Sequence, residues 1–179
     1  MATISMSTNS ASTSNNGGTG NKQLRGSLVT LQNDIDLADA ILQNGGSALA
    51  ANDIIEAIAV PANTMILYAG FKVVTAMTGT TTDSEFHVGI TGTDVDLFAA
   101  SFDLDGASAG AITPPAGLSS GVVANVPAFT ASADTIDVEI QASSGTITGG
   151  IIRVFAVCIL LDEVSQSSSA NEVDRDLLA

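Results

Sequence analysis

The single histidine, His87, is where acid–base or nucleophilic chemistry would have to be built. A hydrolytic triad needs a histidine oriented by a carboxylate and touching a nucleophile. His87 follows Glu85 in the run Glu85-Phe86-His87-Val88-Gly89-Ile90, which alternates cleanly, with Phe86, Val88 and Ile90 on the other face. That spacing places it on the polar face of a strand, without an accompanying constellation, and a surface histidine is expected. The only cysteine, Cys158, lies in the most apolar segment of the chain. Reactive thiols occupy exposed, electropositive places, so a buried inert thiol is expected. One Cys allows no internal disulfide, and one Cys with one His cannot form a zinc site of the usual kind.

Acidic pairs come closest to a site. Asp94-Val-Asp96 and Asp103-Leu-Asp105-Gly106 bracket one strand. Alternate carboxylates project to one side of an extended chain, so each pair could hold calcium together with backbone carbonyls. The spacing and closing Glu of an EF-hand loop are missing, and the competing reading is solvated strand ends with Asx-type turns. Paired carboxylates also suit glycoside hydrolysis. Six Phe, one Tyr and no Trp leave little for sugars to stack on. No glycine-rich phosphate loop precedes a helix. Arg153 is a lone cation in an apolar strand, and the preceding strand offers Asp137 or Glu139 as its partner across a hairpin.

Charge bounds the partners. Five Lys+Arg stand against 19 Asp+Glu in 179 residues, a net charge of -14, so phosphate backbones would be repelled and nucleic-acid binding is not expected. The longest apolar run, residues 154–161, is far short of the roughly 20 residues of a membrane span. No basic-then-apolar leader is visible at the N-terminus, and manufacture without Sec export is the expectation. Apolar residues make up 45% of the chain and charged residues 13%. A soluble monomer needs a more charged surface, which suggests that part of the outside is buried against other copies.

The elements that must position these residues have a period of two. Val29, Leu31, Ile35 and Leu37 share one face of a first strand, and Asn33 interrupts that face as a possible bulge. Residues 39–52 are ambiguous, with room for a short helical turn. Ile54–Val60 is stopped by Pro61. Residues 65–76 are apolar on both faces, with Leu67, Ala69, Phe71 and Val73 on one and Ile66, Tyr68 and Val74 on the other. Residues 85–90, 95–104 and 134–141 follow as strands, with a charge-free Gly/Pro loop over 106–133 holding at most one short strand. Ser143-Ser144-Gly145 signals a hairpin, and residues 151–161 are again apolar on both faces except at Arg153. Seven or eight short strands predict an all-β antiparallel β-sandwich of jelly-roll type over residues 26–162. Residues 1–25 read as a flexible polar arm carrying Lys22 and Arg25, and 163–179 as a flexible acidic C-terminal tail. The two strands that are apolar on both sides require cover, from another subunit or from the 106–133 loop.

Three runs carry a resemblance. They are Asp53-Ile-Ile-Glu-Ala-Ile-Ala-Val-Pro61-Ala-Asn-Thr64, Gly70-Phe-Lys-Val-Val-Thr-Ala76 and Val88-Gly89-Ile-Thr-Gly-Thr-Asp94. With the closing Gly149-Gly150-Ile-Ile-Arg153-Val, the chain over residues 27–162 resembles small virion proteins of tailed double-stranded DNA phages, marine and cyanobacterial ones especially. The resemblance implies a capsid decoration, or cement, protein: a homotrimer on the outer face of the head that contacts the major capsid protein and braces neighbouring capsomers. No cofactor, metal or enzymatic activity is implied. Lys22 and Arg25 would serve a capsid-contacting arm, and Ile66, Tyr68, Arg153 and Phe155 the subunit interface. A head-fibre or tail-tip protein involved in host attachment is the alternative. A free glycan- or calcium-binding module is a further rival.

Overall fold

Period-two alternation becomes strand almost everywhere in the computed structural model, which describes residues 3–5, 28–113 and 127–161. The elements are β1 (Thr3–Ser5), β2 (Leu28–Asp36), α1 (Leu37–Gln43), β3 (Ile54–Val60), β4 (Thr64–Gly79) and β5 (Asp83–Ile90). They continue with β6 (Asp94–Asp103), β7 (Ala128–Thr130), β8 (Asp134–Ser144) and β9 (Ile147–Leu160). One sheet has the order β1-β3-β8-β5-β6 and the other β2-β9-β4-β7. Apart from β1, all pairings between these strands are antiparallel. The protein is an all-β sandwich, as the alternation predicts. Among the described residues no helix is long and apolar enough to cross a membrane.

The two sheets bury one face each against the other. Phe71 of β4 meets Phe86 and Phe102 of the opposite sheet edge-on, with ring centroids 6.4 and 4.9 Å apart. Ile35, Ile55, Ile136, Val138 and Val154 complete the same core, each fully buried. Burial of such side chains is worth about 1.5–3 kcal/mol each, which is what holds two sheets with few ion pairs together.

Local chemistry sets the boundaries. β2 ends one residue earlier than its alternation suggests, because Asp36 is a helix N-cap: its Oδ1 accepts from Ala38 N at 2.8 Å. Leu37 therefore opens α1 instead of ending the strand. Asn33 makes no bulge, since β2 pairs with β9 in unbroken register from Leu28 to Asp36. Its side chain crosses the sandwich and donates to Ala57 O at 3.0 Å, at a bulge in β3 between Glu56 and Ile58. The bulge was thus in the strand opposite the one that the interruption suggested.

The central part of the 106–133 loop, residues 114–126, lies outside the described residues. Its described residues 110–113 run along the free edge of β4. Val73 N donates to Ala111 O, Gly110 N to Val73 O and Thr113 N to Phe71 O, at 2.7, 2.8 and 3.0 Å. Residues Thr3–Ser5, within the stretch read as a polar arm, form a strand parallel to β3. Lys22 and Arg25 lie outside the described residues, as does the acidic stretch 163–179.

Candidate functional site: the outer faces of the two sheets

The outer face of the four-stranded sheet is built in rows by its pairing register. The first row is Leu28, Ile159, Met65 and Phe129, one residue from each strand. The second is Thr30, Val157 and Tyr68, and the third Gln32, Phe155 and Gly70. The fourth is Asp34, Arg153 and Lys72. The face therefore grades from wholly apolar at one end to charged at the other. Leu28 and Phe129 are 64% and 55% exposed, and Leu161 beside that end is 42% exposed. A groove of about 570 Å³, lined by Ile90, Leu97, Pro127 and Phe129 among others, opens next to the apolar row.

The middle of this face is locked by Tyr68. Its ring packs on Phe155 at 5.6 Å and 57°, and its hydroxyl donates to Thr113 O at 3.0 Å. Thr113 is buried and is held by Phe71, whose N donates to its Oγ1 at 3.1 Å. Gly70 makes this possible: a Cβ there would collide with Thr113 Oγ1. At the charged end Arg153 makes a two-pronged pair with Asp34, Nε to Oδ1 at 2.6 Å and Nη2 to Oδ2 at 2.8 Å. The contact holds the Asp34 carboxyl below its ordinary range.

Of the four residues expected at a subunit interface, Tyr68, Arg153 and Phe155 share this face. Ile66 does not. It is fully buried in the core, because a bulge between Ile66 and Tyr68 turns one inward and the other outward. Arg153 also departs from expectation in its partner: it pairs with Asp34 of β2, since Asp137 and Glu139 belong to the other sheet. The charge lies far away in sequence, so local spacing gave no signal for it.

The outer face of the five-stranded sheet is carboxylate-rich. Glu56 faces Asp137, Glu139 faces His87, and Glu85 faces Asp103 across neighbouring strands. His87 shares the polar face, as its alternation requires, but it is not on the surface: it is 7% exposed. Its central position between β8 and β6 explains this, with Asp96 Oδ2 at 4.0 Å from Nδ1. Asp137 and Glu139 are buried as well, at 3% and 8% exposed. Asp137 Oδ2 accepts from Thr91 N at 2.9 Å, and burial pushes its carboxyl above the ordinary range. Asp96 is raised too, first by its contact with Asp94 and then by burial.

The acidic pairs around β6 form local turns. Asp103 Oδ1 accepts from Asp105 N at 2.9 Å, and Asp94 Oδ1 from Asp96 N at 3.4 Å. Asp105 turns its own Oδ1 to the Thr81 hydroxyl at 3.2 Å. Among the described residues no group of three or more His, Cys, Asp or Glu is placed to hold a metal ion. Cys158 is fully buried, and desolvation pushes its thiol up to about 11.

Known capsids contain this architecture. A chain of the cyanophage Pam1 capsid asymmetric unit matches with a TM-score of 0.53 at 16% identity, over 76% of this chain and 87% of that one. A chain of the Ralstonia phage GP4 capsid matches with a TM-score of 0.51 at 21% identity, over 76% and 86%. The fold is shared with chains of two phage capsids. At these identities the likeness is one of fold. Neither a protein-family model nor a curated protein sequence matches the chain.

Proposed function

We propose that the chain is a virion structural protein, a decoration or cement protein that binds the outer surface of an assembled phage head. The observation that carries this reading is the outer face of the four-stranded sheet. Leu28, Met65, Phe129 and Ile159 form one apolar row across four strands, beside a Tyr68–Phe155 ring pair. Soluble proteins rarely leave such a contiguous apolar face uncovered, and a larger one marks a partner site. The fold likeness to capsid chains supports a capsid as the setting. The strand orders β2-β9-β4-β7 and β3-β8-β5-β6, with consecutive strands from β2 to β5 alternating between sheets, also favour the jelly-roll reading.

In this account the apolar face meets the major capsid protein and neighbouring copies, which we place in trimers. The acidic face of the other sheet points outward, away from packaged nucleic acid. Each trimer touches several capsid subunits, so weak contacts add by avidity. Lys22 and Arg25 are assigned to an arm that contacts the capsid. Quantitative mass spectrometry of purified virions tests the reading. Copy number near equimolar with the major capsid protein is expected. A handful of copies would favour a head-fibre or tail-tip role, and absence from particles would overturn the virion reading.

A further inference from the structure

The acidic outer face holds buried polar atoms that attachment through the other sheet leaves unexplained. Nδ1 and Nε2 of His87, Oδ1 of Asp137 and Oε2 of Glu139 have no hydrogen-bond partner. The three residues are 7%, 3% and 8% exposed. A buried donor or acceptor without a partner is costly, and each one in a native structure calls for a cause. Both described cations, Lys72 and Arg153, lie on the other sheet, so no positive side chain among the described residues answers these groups.

Gly89 explains how this face is closed. It stands opposite Asp137 of β8, on the same side of β5 as His87. Having no side chain, it leaves room for backbone: a Cβ there would collide with Asp94 O and with Val95 C and O. The start of β6 therefore lies against the outer face at Gly89. Two contacts follow. Thr91 N donates to Asp137 Oδ2 at 2.9 Å, and Asp96 Oδ2 comes to 4.0 Å from His87 Nδ1, too far for a hydrogen bond. Ile90, Thr93, Asp94 and Leu97 of the same stretch also line the groove beside Phe129. The turn is shared between the acidic face and the groove.

The charged groups around the His87 ring are all carboxyls. β8 presents Glu139 directly opposite, with Asp137 next along its outer side. β6 presents Asp96, with Asp94 in contact behind it. Glu85 lies on β5 itself, opposite Asp103, and Glu56 of β3 stands beyond Asp137. From the core side β4 brings the apolar Phe71 against Phe86. A neutral imidazole has one donor and one acceptor, so among these carboxylates one ring nitrogen stays unsatisfied. A second proton makes both nitrogens donors, and imidazole is the side chain that changes charge between about pH 5 and 8. We propose that His87 is a proton-operated clasp: on taking up a proton it donates from Nδ1 to Asp96 and from Nε2 to Glu139, and so ties the β5–β6 turn to β8. When the proton leaves, the turn keeps the Thr91–Asp137 bond and loses the tie. The device goes beyond the decoration reading and belongs to the free chain.

Amide hydrogen exchange on the full-length free chain tests the clasp, with NMR of the single histidine alongside. Between about pH 7.5 and 5.5 the protection factors of residues 91–96 should rise about fivefold, the scale of an ion pair with one exposed partner. The His87 ring signals should move to the doubly protonated form over the same range. His87→Gln, which can hydrogen-bond but takes no charge, should abolish the rise. Asp96→Asn, which leaves the ring in place, should abolish it too, and this variant carries the test if His87→Gln does not fold. Asp137→Asn should keep the rise. Ring signals that stay fixed across this range, flat protection in the wild type, or a rise that survives either of the first two substitutions would overturn the clasp. A rise abolished by Asp137→Asn alone would assign the proton to Asp137 instead.

Discussion

The two outer faces of the sandwich share one geometry and differ in chemistry. On the five-stranded sheet the outward positions are Glu56, Asp137, Glu139, Glu85 and Asp103, with His87 among them. On the four-stranded sheet they are Met65, Tyr68, Phe155, Val157 and Ile159, with Arg153 and Lys72 at one end. Both described cations of the chain are on this second face. The acidic face sets like charges opposite each other at Glu56–Asp137 and Glu85–Asp103, an arrangement that costs stability and discourages close approach by another acidic body. The apolar face has the opposite tendency. The difference teaches that the fold is held by the shared core, while in the proposed reading association depends on which face is turned to the partner.

The largest expected effect comes from placing a charge at the centre of the apolar face. Phe155→Asp should lower capsid occupancy at least tenfold, equivalent to about 1.4 kcal/mol or more of lost binding. Glu85→Lys on the acidic face should leave occupancy unchanged. Quantitative binding to undecorated capsids, well below the melting temperature of each variant, checks both. Equal losses from the two would erase the distinction between the faces.

Next is Gly70→Ala. The added methyl displaces Thr113 from its bonds with Phe71 and Tyr68, and crowding of this kind costs about 1–3 kcal/mol. Denaturant unfolding measures it, and an unchanged midpoint would mean that the 110–113 segment does not brace β4.

A smaller effect belongs to the acidic face. Burial raises Asp137, so the folded chain binds that proton more tightly than the unfolded chain. Its ionised form is unfavourable at neutral pH, and stability is recovered as pH falls through the raised value. Asp96, raised by Asp94, acts in the same direction. Asp34 is lowered, so its contribution is lost only below the ordinary carboxylate range and does not oppose this. Thermal melts should show Tm rising as pH falls from 7 toward 5. Asp137→Asn, which can still accept from Thr91 N, should raise Tm at pH 7 and flatten that rise. A wild-type Tm that falls steadily across the window would contradict the assignment. The smallest effect is expected from Arg153→Met: the pair with Asp34 is open to solvent on both sides, and exposed pairs of this kind stabilise little, so Tm should barely move.

How much of this was legible in the sequence follows from what alternation can and cannot encode. The strands 85–90 and 134–141 alternate strictly, so their inward Phe86, Val88, Ile136, Val138 and Ile140 and their acidic outer face could be read directly. β4 could not, because a bulge at Leu67 reverses the sense of alternation and sends Ile66 into the core. The cap at Asp36 had a local signal, an Asp before a run that changes period, but the strand pattern masked it. The Arg153–Asp34 pair, 119 residues apart, and the Asn33 bond to Ala57 depend on sheet order, which no local window contains. The burial of His87 is likewise a property of its central strand and not of its neighbours in sequence.

The most direct test is oxidative and carbodiimide footprinting of the protein free and bound to capsids. Met65, Tyr68 and Phe155 report on one face, and Glu85 and Asp103 on the other. Protection of the first set on binding, with Glu85 and Asp103 still modified, is the predicted result. Protection of Glu85 and Asp103 with Met65, Tyr68 and Phe155 left reactive would show that the acidic face is the one turned to the capsid.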